Sequence, residues 1–408
     1  MNKKLIALVV AGALGTPMVA SANATFYGRI GAELGSTKID QAGTAGYRQE
    51  TIGDNTGISR FGWNVTEDLG GGLSANARIE FAFRAGNGTG DTAREQWVGL
   101  SSKSWGALQF GRVHSPFKDF AGGTTIDPFN TTNLQARGSG GALYTPANGF
   151  GAGAFVDHAI RYNSPSFGGF SASVLLAPTD ATQTDATTGG GNVGGRGGSN
   201  NYQIGLKYKI GTSGEVFGGY SNDEANNAQS LVTTNGRRGD DETVWRLGTA
   251  WSFGDFRIAA QYDKIKDALA GNGGTSCGGG AIANGAEGAS TAQCNTALNT
   301  NGEGDIWFLT TQYKIGQTTV VLQGGQTKAD AIGVGAARAV ERESKNITLG
   351  AIYNLSKRSR VFGGYQRVSI DGGRDVANTI NSTGAQVNAA TTVQPDRSTF
   401  TIGMRHDF

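Results

Sequence analysis

The chain ends in "TFTIGMRHDF", Thr399–Phe408. Read with period two, Phe400, Ile402, Met404 and Phe408 fall on one face, with His406 the exception, while Thr399, Thr401, Gly403, Arg405 and Asp407 fall on the other. That period belongs to a strand, whose successive side chains point to opposite faces. Chain ends are usually frayed and polar, so a patterned strand that stops on an aromatic implies that this last strand has a partner.

The same pattern recurs along the chain in segments of about ten residues, as in a membrane barrel, and no stretch after residue 24 has a helical period. In "TFYGRIGAEL" (25–34), Phe26, Ile30, Ala32 and Leu34 oppose Tyr27, Arg29 and Glu33; in "LSANARIEFAF" (73–83), Leu73, Ile79, Phe81 and Phe83 oppose Ser74, Asn76, Arg78 and Glu80. "NYQIGLKYKI", "TVWRLGTAWSF", "IWFLTTQYKI" and "KNITLGAIYNL" repeat the alternation, with aromatics near the segment ends. A membrane barrel needs an outward apolar band bordered by two aromatic girdles. A soluble β-sandwich also alternates, but it turns its polar face outward and has no reason to set Tyr and Trp at strand ends.

Connections alternate in length. Short ones lie at 67–72, 103–106, 165–169, 211–214, 254–255, 316–317 and 356–359, and long ones at 35–57, 112–156, 177–200, 223–241, 264–304, 326–344 and 369–396. Short turns at one end and long loops at the other are an outer-membrane arrangement, and the count between them is about sixteen strands, enough to enclose an aqueous channel. The expected fold is all-β: a closed antiparallel transmembrane barrel with short periplasmic turns and long extracellular loops. In hydrocarbon every backbone N–H and C=O must be paired, which only a helix or a closed sheet achieves. The last strand must therefore pair with the first.

Composition agrees: of 408 residues, 67 are Gly and only 7 Pro, and after the start no long apolar block appears. At the start, Lys3 and Lys4 precede "LIALVVAGAL", too short to span a bilayer, and Ala22-Asn23-Ala24 fits a cleavage site. Residues 1–24 read as a cleaved secretory signal and 25–408 as one barrel domain. Losing two lysines brings Lys+Arg from 35 to 33, equal to the 33 Asp+Glu, and a neutral chain disfavours nucleic acid as a partner. Cys277 and Cys294 share one Gly-, Ala- and Asn-rich stretch, where export permits a disulfide. Two Cys and three scattered His make no zinc pattern, so no metal and no cofactor is expected.

Several stretches resemble one family, the trimeric general porins of Gram-negative outer membranes, especially the β-proteobacterial group: "ATFYGRIGAEL", "SRFGWNVTEDLGGGLSA", "REQWVGLSSKSWGALQFGR", "IRYNSPSFGGFSASV", "YNLSKRSRVFGGYQ" and "GMRHDF". The resemblance covers essentially the whole mature chain. It implies a sixteen-stranded homotrimer in the cell outer membrane, among lipid and lipopolysaccharide, with the third extracellular loop folded into the lumen. It also implies that the assembly machinery of that membrane reads the terminal strand, so that Phe408 is an assembly signal. The implied function is general diffusion: a water-filled channel for passive passage of ions and small hydrophilic solutes.

In porins of this type a carboxylate-bearing loop faces arginines of the barrel wall. The segment 112–156, counted as the third long loop, holds Asp119 and Asp127 in "PFKDFAGGTTIDPFN". Polar faces of the early strands supply Arg29, Arg60 and Arg78, and Arg161 joins them as a basic wall; Lys207, Lys209, Arg246 and Arg405 also fall on polar faces. Opposed fixed charges across a narrow wet gap create a transverse field that favours small polar solutes. The basic lean predicts a mild anion preference. Any single arginine could equally serve only to solvate its face, and a one-residue slip would swap the faces. The Pro-Glu-Phe-Gly-Gly-Asp stretch of enterobacterial relatives is absent.

Other functions have weaker support. His114, His158 and His406 lie in no Ser- or Cys-bearing nucleophile motif, which argues against an enzyme. A substrate-specific sugar channel would line its pore with an aromatic slide, whereas Tyr27 and Phe308 are the exceptions on polar faces here. A barrel adhesin would need no open lumen.

Overall fold

The computed structural model describes residues 22–40, 47–53, 59–85, 92–137, 142–143, 155–178, 200–223, 242–268, 302–329, 342–371 and 396–408, and six residue pairs between 333 and 393. Most of the expected signal (1–21) and both Cys277 and Cys294 lie outside the described residues.

Sixteen strands form one sheet: β1 (Asn23–Asp40), β2 in two pieces (Tyr47–Gly53 and Arg60–Gly70), β3 (Leu73–Ala82), β4 (Thr92–Ser102), β5 (Gly106–His114), β6 (Phe155–Asn163), β7 (Phe170–Pro178), β8 (Asn200–Ile210), β9 (Gly214–Asp223), β10 (Glu242–Phe253), β11 (Phe256–Ala268), β12 (Gly302–Ile315), β13 (Thr318–Ala329), β14 (Arg342–Asn354), β15 (Ser359–Asp371) and β16 (Asp396–Asp407). Each pairs antiparallel with its neighbours in sequence. The sheet closes where β1 meets β16, from Arg29↔Asp407 to Asp40↔Asp396.

The closing seam includes the terminal residue. Gly28 N–H donates to the Phe408 carbonyl at 3.0 Å, and Phe408 N–H donates back at 2.9 Å. The Phe408 ring lies 5.8 Å from that of Phe26, which is 5.4 Å from Trp63. His406, the exception in the outward pattern, bonds through Nδ1 to the Ser359 hydroxyl at 2.8 Å and stacks on Phe408.

Alternation sorts the side chains as the sequence predicts. Leu34, Leu247, Leu349 and Ile402 are more than half exposed around the outside, whereas Thr348 and Thr401 inside are fully buried. Tyr208, Phe253, Tyr313, Tyr353 and Phe408 cluster toward the short-turn end, and Trp245, Tyr262, Trp307, Tyr365 and Phe400 toward the other. These are the two girdles expected at the interfaces.

One expectation is corrected. The stretch 35–57 is not all loop: β1 continues to Asp40, and Tyr47–Gly53 pairs back onto it. Beyond Leu34 the strand rises past the apolar belt, where Ser36, Lys38 and Asp40 keep the period but carry no hydrophobic contrast to reveal it. β1 pairs with both pieces of β2, Arg29 with Arg60 and Glu33 with Gly53, which leaves 30–32 of β1 between the two registers. Within that interval the Ser59 hydroxyl accepts from Gly31 N–H and donates to Gly31 C=O, both at 3.2 Å.

The segment after β5 turns inward. It forms α1 (Pro116–Asp119) and a short 3-10 turn (Gly123–Thr125), then runs along the inner wall. Glycines make that wall smooth enough for close approach: a Cβ at Gly219 would meet Phe117, one at Gly364 would meet Leu134, and one at Gly350 would come within 2.7 Å of Phe129 and 2.6 Å of the Gly363 carbonyl.

Two outcomes follow. Gly350→Val overpacks the floor and should cost about 1–3 kcal/mol, read as a lower unfolding midpoint of the folded barrel. Deleting Phe408 removes two ladder bonds and a girdle ring, and should lower the yield of heat-modifiable barrel on refolding into detergent; an unchanged yield would contradict the closure seen here.

Candidate functional site

The inward segment is fixed by polar bonds to the wall. Arg246 on β10 donates to the carbonyls of Phe117 (2.5 Å) and Ala121 (3.0 Å), the end of α1, where unpaired carbonyls collect. The same guanidinium pairs with Asp263 on β11 at 2.8 Å, and Asp263 also receives Arg137 from the segment at 2.5 Å. All three side chains are buried. Farther on, Gln323 and Gln366 both donate to the Leu134 carbonyl, and Asn133 N–H donates to Glu33 on β1 at 2.9 Å. The segment thus covers the inner wall of β8–β15, reaching β1 at Asn133 before Arg137 turns back to β11.

The wall of β1–β4 opposite carries the charges that remain exposed to the lumen. Arg60, Arg78 and Arg94 surround Glu80 and Glu95: Arg94 bonds Glu80 at 2.5 Å, Arg60 lies 3.6 Å from Glu80, and Arg78 pairs with Glu95 at 2.8 Å. Tyr27 donates to Glu80 at 3.0 Å and accepts from Arg78 at 2.8 Å, so this polar-face aromatic is part of the charge network. Arg29 and Arg405 share Asp407. Arg94 and Glu95 both reach the lumen because the β3–β4 register shifts between Ile79 and Phe81.

Of the two loop carboxylates expected to face the basic wall, Asp119 pairs with Arg161, one of the four arginines expected there, whereas Asp127 has other partners. Asp127 is buried and accepts from the N–H groups of Phe129, Ala136 and Arg137, stapling the segment to itself. Burial pushes its carboxyl above the usual range, against those backbone bonds. Asp119 is gripped by Arg161 at 2.9 Å and by His114 at 3.2 Å. Burial alone would raise its carboxyl, but the His114 and Arg161 bonds hold it well below the usual range. Arg161 is thus tied to the root of the segment and is linked to Arg78 through Asp119, His114 and Glu95.

The segment's contribution toward the basic wall is instead Lys118. Its ammonium sits 4.2 Å over the Phe155 ring, which Arg94 and Arg112 also approach. Burial lowers the Lys118 pKa to about 7, and the positive charges of Arg94 and Arg60 act in the same direction. Six arginines (Arg29, Arg60, Arg78, Arg94, Arg161 and Arg405) and four carboxylates (Glu80, Glu95, Asp119 and Asp407) leave a surplus of two, to which Lys118 adds a third when it is protonated.

Sequence reasoning missed Arg94, which the bulge hides from a period-two reading, and Asp263, whose partners Arg246 and Arg137 lie far off in sequence. Arg246 was placed on a polar face, but its task is to hold the segment. Phe308 is buried in the cluster that also contains Phe117, Ile126 and Leu143, so it lines no slide. Among the described residues no group of three or more His, Cys, Asp or Glu could hold a metal ion.

A family whose description is "Gram-negative porin" matches residues 7–373. The outer membrane porin protein 32 of Delftia acidovorans is 27% identical over 375 residues, 89% of this chain and 88% of that one. Among solved structures, "Anion-selective porin from Comamonas acidovorans" aligns with a TM-score of 0.65 and 20% identity, over 95% of this chain and all of that one. The trimer form of OmpT of Vibrio cholerae aligns at TM-score 0.55 and 16% identity, over 95% and 100%.

Replacing Asp263 by Ala strands Arg137 and Arg246 without their shared carboxylate. Breaking a buried pair in this way costs about 3–5 kcal/mol, so the variant should unfold at lower temperature, and its single-channel current should become larger and noisier as the segment leaves the wall.

Proposed function

Starting from the chain's membership of the Gram-negative porin family, we propose that the basic wall and Lys118 give its channel a mild anion preference. The protein is a general diffusion porin of the outer membrane, an integral β-barrel through which ions and small hydrophilic solutes pass passively. The positive surplus of two among Arg29, Arg60, Arg78, Arg94, Arg161 and Arg405 against their carboxylates, raised to three when Lys118 is protonated, carries the proposal. Fixed charge beside a narrow aqueous path raises the local concentration of counter-ions, and anions are the counter-ions here. The anion-selective porin that shares this fold is consistent with the reading.

In this proposal Asp119 and Asp127 do not form the negative side of the gap. They hold the segment in place, and both the wall and the loop residue Lys118 present positive charge to the lumen. The oligomer is a homotrimer, in line with the trimer form of OmpT. Cleavage after Ala24 would leave β1 nearly whole, since that strand starts at Asn23. The edge of β16 that is free before the barrel closes onto β1, ending in Phe408, is what the assembly machinery would read by strand addition. The relatives are channel proteins, which supports a lumen without catalysis.

Arg60→Gln combined with Arg94→Gln removes two of these positive charges. The anion-to-cation permeability ratio, from the reversal potential in a salt gradient, should fall toward unity; an unchanged ratio would reject the basic-wall reading. Lys118 is charged below about pH 7 and neutral above it, so anion preference should weaken as pH rises from 6 to 8. Lys118→Gln should flatten that dependence.

A further inference from the structure

Phe155 opens β6, directly opposite His114, the last residue of β5. The chain between these two residues supplies the segment that lies in the lumen, so the ring stands at the root of that segment. It collects positive charge. The Lys118 ammonium lies 4.2 Å from the ring centroid, the Arg94 guanidinium 4.9 Å and the Arg112 guanidinium 5.2 Å, and the His114 ring packs on it at 4.6 Å. An aromatic face attracts a cation within about 6 Å through its negative charge, and the attraction grows where water is excluded.

The three cations differ in what else holds them. Arg94 bonds Glu80 at 2.5 Å and Arg112 bonds Asp157, so each keeps a carboxylate whether or not the ring is present. No described carboxylate pairs with the Lys118 ammonium, whose side chain has the ring as its described partner. The charges of Arg94 and Arg60 oppose its own. Phe155 is therefore the group that keeps the ammonium among cations that repel it. Packing alone does not explain the residue: Phe155 is half-buried and belongs to none of the apolar clusters among the described residues.

We propose that Phe155 is a specificity-determining residue of the channel, a positioning residue that holds the Lys118 charge in the lumen beside Arg94. The proposal rests on the anion preference inferred above and assigns part of it to an uncharged ring. An aliphatic side chain of similar size fills the space but offers no negative face. Without the ring, Lys118 turns to Asp119, the next residue, or gives up its proton, and in either case its positive charge is lost from the wall. Arg94 and Arg112 stay with Glu80 and Asp157.

The test reads the anion-to-cation permeability ratio of the full-length oligomer below about pH 7, where Lys118 is charged. Phe155→Leu should lower the ratio by the same fold as Lys118→Gln, and Phe155→Tyr should keep it. The double variant Phe155→Leu/Lys118→Gln should fall no further than either single one, since both substitutions remove one interaction. A trifluorinated phenylalanine at 155 keeps the shape of the ring and withdraws charge from its face, so it should lower the ratio while the fold is retained. An unchanged ratio with the fluorinated ring would overturn the proposal even where Phe155→Leu fails to fold. So would a ratio that Phe155→Leu lowers equally with and without Lys118. The unsubstituted channel tests the anion preference separately: a reversal potential of the cation sign would reject that reading, whereas Phe155→Leu would still shift the ratio toward cations through Lys118.

Discussion

The constraint on which the rest depends is that no backbone N–H or C=O can be left unpaired in hydrocarbon. An antiparallel sheet meets it only by closing, and closure here rests on the β1–β16 ladder, down to the mutual bonds of Gly28 and Phe408. Once closed, the sheet has a wet inside and a greasy outside, and period-two alternation sorts every side chain between them. The lumen, the girdles and the charged wall are consequences of that one requirement.

The closed barrel is wide, and what narrows it is a second set of interactions. Residues 115–137 lie against the inner wall because glycines at 219, 350 and 364 let Phe117, Phe129 and Leu134 approach the backbone, and because Arg246, Asp263 and Arg137 bury their charges together. The segment is held on the β8–β15 side, across from the arginines of β1–β4. The arginines there remain partly exposed while the carboxylates between them are nearly covered. Around Glu80 and Glu95, positive charge is therefore more exposed than negative charge, whereas Asp119 and Asp407 are more exposed than the arginines they pair with.

The fold was legible because it is written in a repeated local signal: "LSANARIEFAF", "TVWRLGTAWSF" and "TFTIGMRHDF" each state which face meets lipid. The signal fades where the strand leaves the membrane, which is why 35–57 read as loop although β1 runs to Asp40. The site was legible in part. Arg60 and Arg78 were found by alternation, while Arg94 was missed because a bulge breaks the period at that point. Asp119 and Asp127 were given a pore-facing expectation because their partners, Arg161 and the backbone of 129–137, are set by tertiary folding that no local pattern encodes. Lys118 was in plain view, but only the packing against Phe155 singles it out.

The most direct test of the account is the current through the unmodified oligomer in a planar bilayer under a salt gradient. Large ohmic steps with a reversal potential of the sign for anion preference are expected. Steps with the opposite sign would contradict the basic wall, and a folded barrel that gave no steps would contradict an open lumen.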